Sequence, residues 1–406
     1  MKEILISFYE TFPPESGAAN VSFNLTKFLP GEKYLIQLSH RRNRGGIPDI
    51  VASDVRLINI QIVSKNRILK FFKIFLSFFT IVKKIRVINP DVVIMEGASW
   101  TFYYYILAKC MNLMNLDLMT IYHSHNVEYL LRKDKNIWPV VLVTKYSEQW
   151  LMRHTDISTA VSNKDADLFK RLYGAKPVLL PNGVDTENFN EVKEEDVERI
   201  KGKYHLQGKV VLFMGLAGYK PTDEALDFLI NKVFPKILSK EKDTKLAVLG
   251  GKIQKKKEYI INPGMIPYEE VPLFIKACDV CVAPIFSGSG TRIKILEYLA
   301  AGKPVVSTAK GAEGLDVVHD KELIIADNEN MFADAVLDLL ANPEKANDIG
   351  SNGRKLVERS YSWEKIIKNF LGNIKDLFPQ LTWMMNKSRL LQMRGTGGEA
   401  VVLHRE

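Results

Sequence analysis

The chain has 406 residues, of which 46% are hydrophobic and 25% charged, a composition typical of globular domains with sizeable cores. Its formal net charge of +9 favours acidic partners, but the basic residues are scattered and no nucleic-acid recognition motif accompanies them, so nucleic acid is not expected as a partner. Three cysteines exclude a disulfide framework, and no secretory signal follows Met1, so we expect a cytoplasmic chain of two domains.

Apolar runs of strand length alternate with helical patterns along the chain. In the first half, the predicted strands lie near Glu3–Phe8, Tyr34–Ser39, Val92–Glu96, Met119–His123, Ile157–Ser162 and Val178–Leu180. In the second half, they lie near Val210–Gly215, Lys245–Gly250, Val280–Ile285, Val305–Ser307 and Leu323–Ile325. Continuous apolar strands that alternate with helices predict parallel sheets covered on both faces. Two such series, joined by a charged stretch at 191–209, predict two Rossmann-like domains.

Residues 68–82 form an almost wholly apolar helical pattern. Polar residues recur on it every three or four positions and predict one narrow polar stripe. The residues of this stripe are Lys70, Lys73, Ser77, Thr80 and Lys84. The pattern is too short and too charged to span a bilayer, which needs about 20 apolar residues. Two interpretations stay open: a helix packed on the first sheet, or a peripheral membrane contact with Phe and Ile in the interface and Lys at the headgroups.

The segment 279–315 carries the strongest functional signal. Its predicted strand runs directly into a Gly-rich loop formed by Ser287, Gly288, Ser289, Gly290 and Thr291. A strand, a Gly-rich turn and a helix N-terminus together form an anion site, because unpaired amide groups point at one spot. Glu297 follows on the helix, where a carboxylate can accept hydrogen bonds from a ribose diol; an ion pair with Arg292 or Lys294 is the structural alternative. The pattern predicts a nucleotide-sugar ligand.

This segment resembles the donor-binding segment of the retaining GT-B glycosyltransferases of the group 1, family-4-like type. Residues 299–306 (LAAGKPVV) match the family's run, Glu297 is its second Glu, and Ser289 stands where its first Glu lies. Further matching segments occur in the family's order. They are Pro13–Ala19, His123–Glu128, Pro181–Asp185 and Phe213–Gly215 with Tyr219–Pro221. The resemblance implies an α/β GT-B fold, in which two Rossmann-like domains face each other across a cleft.

The resemblance also implies the domain bounds. Residues 1–187 would form the N-terminal acceptor-binding domain, and 188–361 the C-terminal domain that binds the nucleotide sugar. A returning helix at 362–378, with Ser362 as its N-cap, would pack on the first domain. Residues 380–406 match no part of the pattern and are expected to form a poorly ordered tail.

Roles for individual residues follow from the same resemblance. The catalytic candidates are His125, Lys220 and Arg292, with His123 as the alternative register for the histidine. Because Leu216 stands where the family often has Arg, Lys220 or Arg292 must supply the charge that holds the diphosphate. The donor-binding candidates are Gly17, Gly215, Gly288, Ser289, Gly290, Thr291 and Glu297. Arg41, Arg42 and Arg44 follow the second strand and are acceptor candidates, with a merely solvated loop as the alternative.

No metal or cofactor is expected. Asp165 and Asp167 have metal-binding spacing, but they open a helix, where acidic residues are common in the first turn. Cys278 and Cys281 lead into a buried strand and are expected to be reduced and packed rather than zinc ligands.

The implied function is metal-independent transfer of a sugar from a nucleotide-diphosphate donor to a glycan or lipid-linked acceptor, with retention of configuration. The expected setting is surface polysaccharide synthesis, in the cytoplasm or on the inner face of the membrane, with a peripheral contact through 68–82. Two alternatives are a sugar-nucleotide epimerase of the same fold and a catalytically weak partner protein.

Overall fold

The computed structural model describes residues 1–12, 14, 16–39, 50–52, 54–97, 100–133, 136–190, 192–253, 257–288 and 290–375. The acceptor candidates Arg41, Arg42 and Arg44, the donor candidate Ser289 and the 380–406 tail lie outside these residues.

The first half of the chain forms an eight-stranded sheet. Its strands are β1 (Lys2–Ser7), β2 (Glu32–Ser39), β3 (Ile50–Ala52), β4 (Val55–Gln61), β5 (Val92–Glu96), β6 (Met119–Ser124), β7 (Ile157–Ala160) and β8 (Val178–Leu179). They are ordered β3-β4-β2-β1-β5-β6-β7-β8, and all neighbours pair in parallel except β3 with β4. The antiparallel edge strand β3 and the strand β4 were not predicted, because polar residues interrupt the apolar run of β4.

Helices cover both faces of this sheet. They are α1 (Gly17–Phe28), α2 (Arg67–Ile88), α3 (Thr101–Leu113), α4 (Glu128–Lys133), α5 (Trp138–His154) and α6 (Asn163–Tyr173). Successive residues of β1 point to opposite faces: Ile4 and Ile6 pack with α2, α3 and α5, whereas Leu5 packs with α1. The continuous apolar strands therefore reflect burial on two sides, as the pattern predicted.

The second half forms a six-stranded, wholly parallel sheet. Its strands are β9 (Val210–Met214), β10 (Lys245–Leu249), β11 (Ile260–Gly264), β12 (Val280–Ala283), β13 (Val305–Ser307) and β14 (Ile324–Ile325), ordered β11-β10-β9-β12-β13-β14. This is the doubly wound order of a dinucleotide-binding sheet. The short strand β11 was not predicted; it contains Pro263, which is uncommon within a sheet.

The remaining helices surround the second sheet or return to the first. They are α7 (Glu187–Asn190), α8 (Glu194–Tyr204), α9 (Lys220–Phe228), α10 (Phe234–Lys240), α11 (Val271–Ala277), α12 (Ile293–Ala300), α13 (Glu329–Ala341), α14 (Pro343–Ser360) and α15 (Trp363–Lys375). A π-helical turn, Leu229–Val233, joins α9 to α10, and a 3₁₀ turn, Tyr268–Glu270, precedes α11. The charged stretch at 191–209 contains α8, which packs on α11.

Helix α15 crosses back to the first sheet. Ser362 Oγ accepts a hydrogen bond from the Lys365 amide, as an N-cap does, and Trp363, Ile366 and Phe370 are buried with α1 and the first sheet. The two halves of the chain are thus joined by packing as well as by sequence. The exact domain bounds stay a prediction.

Two further expectations concern residue environments. Asp165 lies in the first turn of α6 and bonds to its N-cap Ser162. Cys278 and Cys281 are free and buried, and burial raises the pKa of both thiols. The helix start at Asp165 and the burial of the two cysteines are therefore found as the sequence predicted. Among the residues described, no helix is both long and apolar enough to cross a membrane.

Candidate active site

The carboxyl ends of the two sheets border one crevice. In each sheet the chain reverses direction of winding beside the first strand, between β1 and β5 and between β9 and β12. Open α/β sheets bind ligands at such switch points, just outside the carboxyl ends of the strands. The residues that follow β1, β5, β6, β9 and β12 are therefore the candidates for a site.

The Gly-rich loop lies between β12 and α12. Gly288 and Gly290 have φ of +95° and +79°, a left-handed backbone that glycine adopts without steric cost. The Arg292 guanidinium donates to Gly290 O at 2.9 Å, and Thr291 Oγ1 accepts from the Asn182 amide at 2.7 Å. Asn182 belongs to the first half of the chain, so this loop is held from both sides of the crevice.

Glu297 projects from α12 towards α1. Its Oε1 accepts a hydrogen bond from Asn20 Nδ2 at 2.9 Å. Burial raises the Glu297 pKa to about 7, although Lys294 lowers it. The carboxylate therefore faces the crevice and its partner is an amide across it. Of the two cations that the sequence offered for an ion pair, Lys294 is the one that acts on its pKa.

Lys294 is a site residue that sequence reasoning did not select. Its ammonium donates to Met214 O at the end of β9 and lies 4.7 Å from the centre of the Phe213 ring. Burial lowers its pKa to about 8, with a further contribution from Arg292. Two cations, Arg292 and Lys294, thus stand beside the Gly-rich loop, where the charge of a diphosphate could be neutralised.

Lys220 lies at the outer edge of the crevice. Its side chain is 81% exposed and its ammonium is 3.7 Å from Glu224, which accepts a hydrogen bond from Ser287 Oγ at 2.6 Å. Gly215 is close to the start of α9: a Cβ there would meet Thr222 at 2.8 Å. The structure places Lys220 at the exposed rim of the site, and Arg292 and Lys294 more deeply, beside the loop.

His125 and Glu96 form the opposite wall. Glu96 ends β5, and its carboxylate hydrogen-bonds to His125 Nε2 and to Ser22 Oγ on α1. The His125 ring lies parallel to that of Tyr9, with centres 6.3 Å apart. The carboxylate is fully buried and holds the imidazole at the edge of the crevice. An acidic residue at the end of an apolar strand was the sequence signal that could have found Glu96.

His123 faces the interior instead. Its Nδ1 lies 2.6 Å from Thr159 Oγ1, and burial lowers its pKa well below the usual value, so the imidazole is neutral. The structure thus distinguishes the two registers: His125 reaches the crevice and His123 does not.

Glu96, His123 and His125 are also the residues, within the described part of the chain, whose ligand atoms could surround a cation. One such atom from each lies within 4.8 Å of the others. In the structure Glu96 and His125 are already joined by a direct hydrogen bond.

The two walls meet closely. A Cβ on Gly290 would lie 3.1 Å from His125 O, and one on Gly17 would lie 3.4 Å from Ile293 at the start of α12. Of the residues proposed from sequence, Gly17, His125, Gly290, Thr291, Arg292 and Glu297 converge on this crevice. Asn20, Ser22, Glu96 and Lys294 join them, and no motif had marked these four.

Two family models match the chain. The model described as Glycosyltransferase Family 4 matches residues 16–188, and that described as Glycosyl transferases group 1 matches residues 208–342. Together they cover strands β2–β8 of the first sheet and all of the second sheet.

Curated relatives match parts of the chain. A GDP-mannose-dependent alpha-(1-6)-phosphatidylinositol monomannoside mannosyltransferase of Mycolicibacterium smegmatis is 28% identical over 248 residues, which are 56% of this chain and 64% of the relative. An uncharacterized 44.6 kDa protein in the cps region of Klebsiella pneumoniae is 26% identical over 179 residues, 41% of this chain and 46% of that protein. The chain therefore spans about half to two thirds of these relatives' length.

Solved structures match the whole fold. Sucrose-phosphate synthase from Thermosynechococcus elongatus aligns with a TM-score of 0.72 and 16% identity, over 94% of this chain and 100% of that one. Anabaena HepE in complex with UDP-glucose aligns with a TM-score of 0.69 and 12% identity, over 93% and 100%. At such identities the likeness concerns the fold alone. Taken with the two family models and the strand order of both sheets, it shows that the chain belongs to the GT-B glycosyltransferases of the group 1, family 4 type.

Proposed function

We propose that this protein transfers a glycosyl residue from a nucleotide-diphosphate sugar to an acceptor hydroxyl, with retention of configuration and without a metal. One observation carries the proposal: the Gly-rich loop with Arg292 and Lys294 meets the Glu96–His125 pair across one crevice. The Gly-rich loop, a candidate anion site, therefore faces His125, which is hydrogen-bonded to Glu96. The two sides come so close that a Cβ on Gly290 would lie 3.1 Å from His125 O.

The donor would lie along α12. Amides at Gly288, Gly290 and Thr291 would donate hydrogen bonds to the diphosphate oxygens. Arg292 and Lys294 would neutralise the diphosphate charge, with Lys220 at the rim of the site. Ser289 stays a candidate for the sugar hydroxyls, and Gly17 and Gly215 allow close approach of the chain. Glu297 would accept hydrogen bonds from the ribose hydroxyls, which would replace its present bond from Asn20. The relatives support the donor class, since one is named GDP-mannose-dependent and HepE was solved with UDP-glucose.

The acceptor would reach the site from the first sheet. Arg41, Arg42 and Arg44 stay the acceptor candidates, and a glycan or a lipid-linked glycan is the proposed class. The mannosyltransferase relatives, whose names specify phosphatidylinositol mannosides, support a lipid-linked acceptor. The proposed setting is polysaccharide or glycolipid synthesis in the cytoplasm, with a peripheral membrane contact through residues 68–82.

The proposed chemistry takes place on one face of the sugar. The bond from the anomeric carbon to the diphosphate oxygen breaks as the acceptor oxygen bonds to that carbon, and the acceptor proton passes to the departing oxygen. The nucleoside diphosphate leaves with that proton, so no separate carboxylate base is needed. Preorganised amides and the cations Arg292 and Lys294 would stabilise the charge that develops on the leaving group. Glu96 would position His125 against the reacting sugar.

Three variants of buried or crevice glutamates test this proposal. Glu297→Ala should weaken UDP or GDP binding by about 2 kcal/mol, roughly 30-fold, because the ribose hydroxyls lose a charged partner. Glu96→Gln should leave nucleotide affinity unchanged and lower transfer at least about tenfold. Glu3→Gln is the matched control. Glu3 is also buried, but it lies at the amino end of β1, whereas the crevice is at the carboxyl ends of the strands. Calorimetry with UDP and GDP, and transfer from radiolabelled UDP-glucose and GDP-mannose to a membrane lipid extract, provide the measurements.

Several results would contradict the proposal. Equal nucleotide affinity in the wild type and Glu297→Ala would refute the donor-site assignment. Tight nucleotide binding without transfer or donor hydrolysis would indicate an inert partner protein, and an epimerised donor without acceptor would indicate an epimerase. A more than tenfold loss of transfer in chelator, restored by Mg²⁺ or Mn²⁺, would exclude the metal-independent mechanism; tenfold corresponds to about 1.4 kcal/mol on the barrier.

A further inference from the structure

Three helices of the first half expose large apolar side chains to an unusual extent. In α2, Ile68, Phe72, Leu76 and Phe79 recur every three or four residues on the outward side. Exposed apolar residues continue on α3 (Phe102) and at the start of α5 (Trp138, Leu142 and Tyr146), with Ile137 just before it. Their exposed fractions run from 43% for Phe102 to 71% for Phe79, Ile137 and Trp138. Monomeric soluble proteins rarely expose so many large apolar groups in one region, and such patches mark interaction sites.

These helices share one side of the first sheet. Buried residues of α2, α3 and α5 pack together on the face formed by Ile4, Ile6, Val93 and Met95. Aromatic contacts connect them: Phe75 of α2 lies 6.5 Å from Tyr103 of α3, and Tyr105 of α3 lies 5.8 Å from Tyr146 of α5. Their outward sides therefore form a single surface, which we name the three-helix face.

The charges on this face have one sign. The sequence of α2 contains six Lys and Arg and no acidic residue, and that of α3 contains Lys109 and no acidic residue. Glu148 of α5 is buried and bonded to backbone amides, so it does not contribute to the surface. A second copy of the chain docked on this face would bring like charges together, whereas anionic lipid headgroups would be attracted to it.

The apolar residues concentrate at the crevice edge of the domain. A helix that follows a parallel strand begins at the carboxyl edge of the sheet, which here borders the crevice. Ile68 and Phe72 lie in the first two turns of α2, Phe102 in the first turn of α3, and Trp138 begins α5. The large exposed residues at the opposite edge include Val87 and Leu113.

We propose that the three-helix face docks on an anionic bilayer, with its crevice edge inserted more deeply than the opposite edge. Apolar and aromatic side chains enter the headgroup boundary while Lys83, Lys84 and Lys109 contact lipid phosphates. The inference rests on the membrane contact proposed for 68–82 and extends it from one helix to three. Docked in this orientation, the crevice opens at the level of the headgroups, where a lipid-linked acceptor resides.

Vesicle binding of the full chain tests the docking. With vesicles of phosphatidylglycerol and phosphatidylcholine in equal parts, we expect sedimentation of the wild type. The double variants Phe72→Ser/Phe79→Ser and Trp138→Ser/Leu142→Ser should each lower partitioning at least about tenfold, because each removes two interfacial side chains. Val318→Ser/Met331→Ser, which changes comparably exposed side chains outside the face, should bind as the wild type. All variants should keep their nucleotide affinity, since these positions are exposed and outside the crevice.

Each other outcome overturns a defined part of the inference. If only the α2 variant loses binding, the contact is confined to one helix and the three-helix face is wrong. If the wild type ignores these vesicles but binds nucleotide, membrane docking is wrong and the glycosyltransferase proposal stands. A wild-type dimer that the α2 variant converts to monomer would show that a second copy covers the face.

Fluorescence quenching tests the orientation. Brominated phosphatidylcholine in the same vesicles should quench the wild type, and Trp138→Phe should lose most of this quenching. Adding Leu113→Trp to that variant moves the probe to the opposite edge and should not restore it. Equal quenching of the two probes would show that the crevice edge is not inserted more deeply.

Discussion

Glu297, which we propose as a ribose-binding residue, shows how a half-buried carboxylate can destabilise the fold. Its side chain is partly buried, one oxygen accepts from Asn20 across the crevice, and burial raises its pKa from 4.5 to about 7. Because the folded pKa lies above the unfolded value, the folded protein prefers the protonated form. The contribution of the Glu297 carboxyl group to stability is therefore fully present below about pH 4.5 and is lost as the pH rises through about 7. A bound nucleotide would compensate by supplying hydroxyl donors to the carboxylate.

Glu297→Gln should show this pH dependence directly. The amide carries no charge, so the variant should be more stable than the wild type at pH 8 and similar to it at pH 4.5. We expect a gain of about 2 kcal/mol at pH 8, since a pKa unit corresponds to about 1.36 kcal/mol and partial exposure reduces the effect. Chemical unfolding at both pH values, without nucleotide, measures it. A difference between variant and wild type that does not change with pH would contradict the assignment.

Helix α2 combines two environments that the sequence offered as alternatives. Ile74, Ile81 and Ile85 face the sheet and are buried, and Ser77 bonds within this inner side to Ile74 O at 2.5 Å. The outer side is the exposed apolar stripe of the three-helix face. Asn66 caps its start and Asn89, with φ of +48°, ends it, so the helix runs beyond the predicted 68–82. The helix is therefore both a core element and an exposed apolar surface.

The same substitution, Ile to Ala, on the inner and on the outer side of α2 distinguishes the buried environment from the exposed one. Ile81→Ala should lower the free energy of unfolding by about 2–4 kcal/mol, because Ile81 is fully buried and leaves a cavity. Ile68→Ala, at a position 69% exposed, should change it by no more than about 0.5 kcal/mol. Denaturant titration of both variants provides the comparison. Similar losses at both positions would mean that the outer side is not a solvent-facing surface.

The whole molecule depends on contact between its two halves. Glu297 meets Asn20, Thr291 meets Asn182, and Lys164 forms an ion pair with Glu313, each pair joining the two sides of the crevice. One close approach is at Gly290, whose lack of a side chain lets the loop come near His125 O. Closure of the crevice should therefore be sensitive to a single added methyl group.

Gly290→Ala tests this closure, with Gly218→Ala as its matched control. Both glycines have left-handed φ, +79° and +81°, so both variants should bear a similar backbone strain. Only at Gly290 would the new Cβ meet the opposite half, 3.1 Å from His125 O, whereas nothing lies within 4 Å of a Cβ at Gly218. We expect transfer to fall at least about tenfold more in Gly290→Ala, about 1.4 kcal/mol on the barrier. Equal activities in the two variants would exclude a functional contact there.

Much of this architecture could be predicted from the sequence because it depends on local patterns. Continuous apolar runs between helices specify strands buried on two faces, and the glycines of the 287–291 loop specify backbone turns at the end of a strand. The N-cap Ser362 and the buried cysteines also follow from neighbouring residues. The resemblance to a known family then predicted how these elements are arranged in two domains.

Only the tertiary structure decided which side chains meet. Glu96 and His125 are 29 residues apart, and Asn20 and Glu297 are 277 apart. Their pairing depends on strand order and on the approach of the two sheets, which no local pattern encodes. The sequence also left open whether the apolar residues of α2 are buried or exposed, because the same residue types occur in both environments. Local sequence fixes backbone conformation through short-range sterics and periodicity, whereas the site depends on long-range packing that brings distant polar groups to one edge.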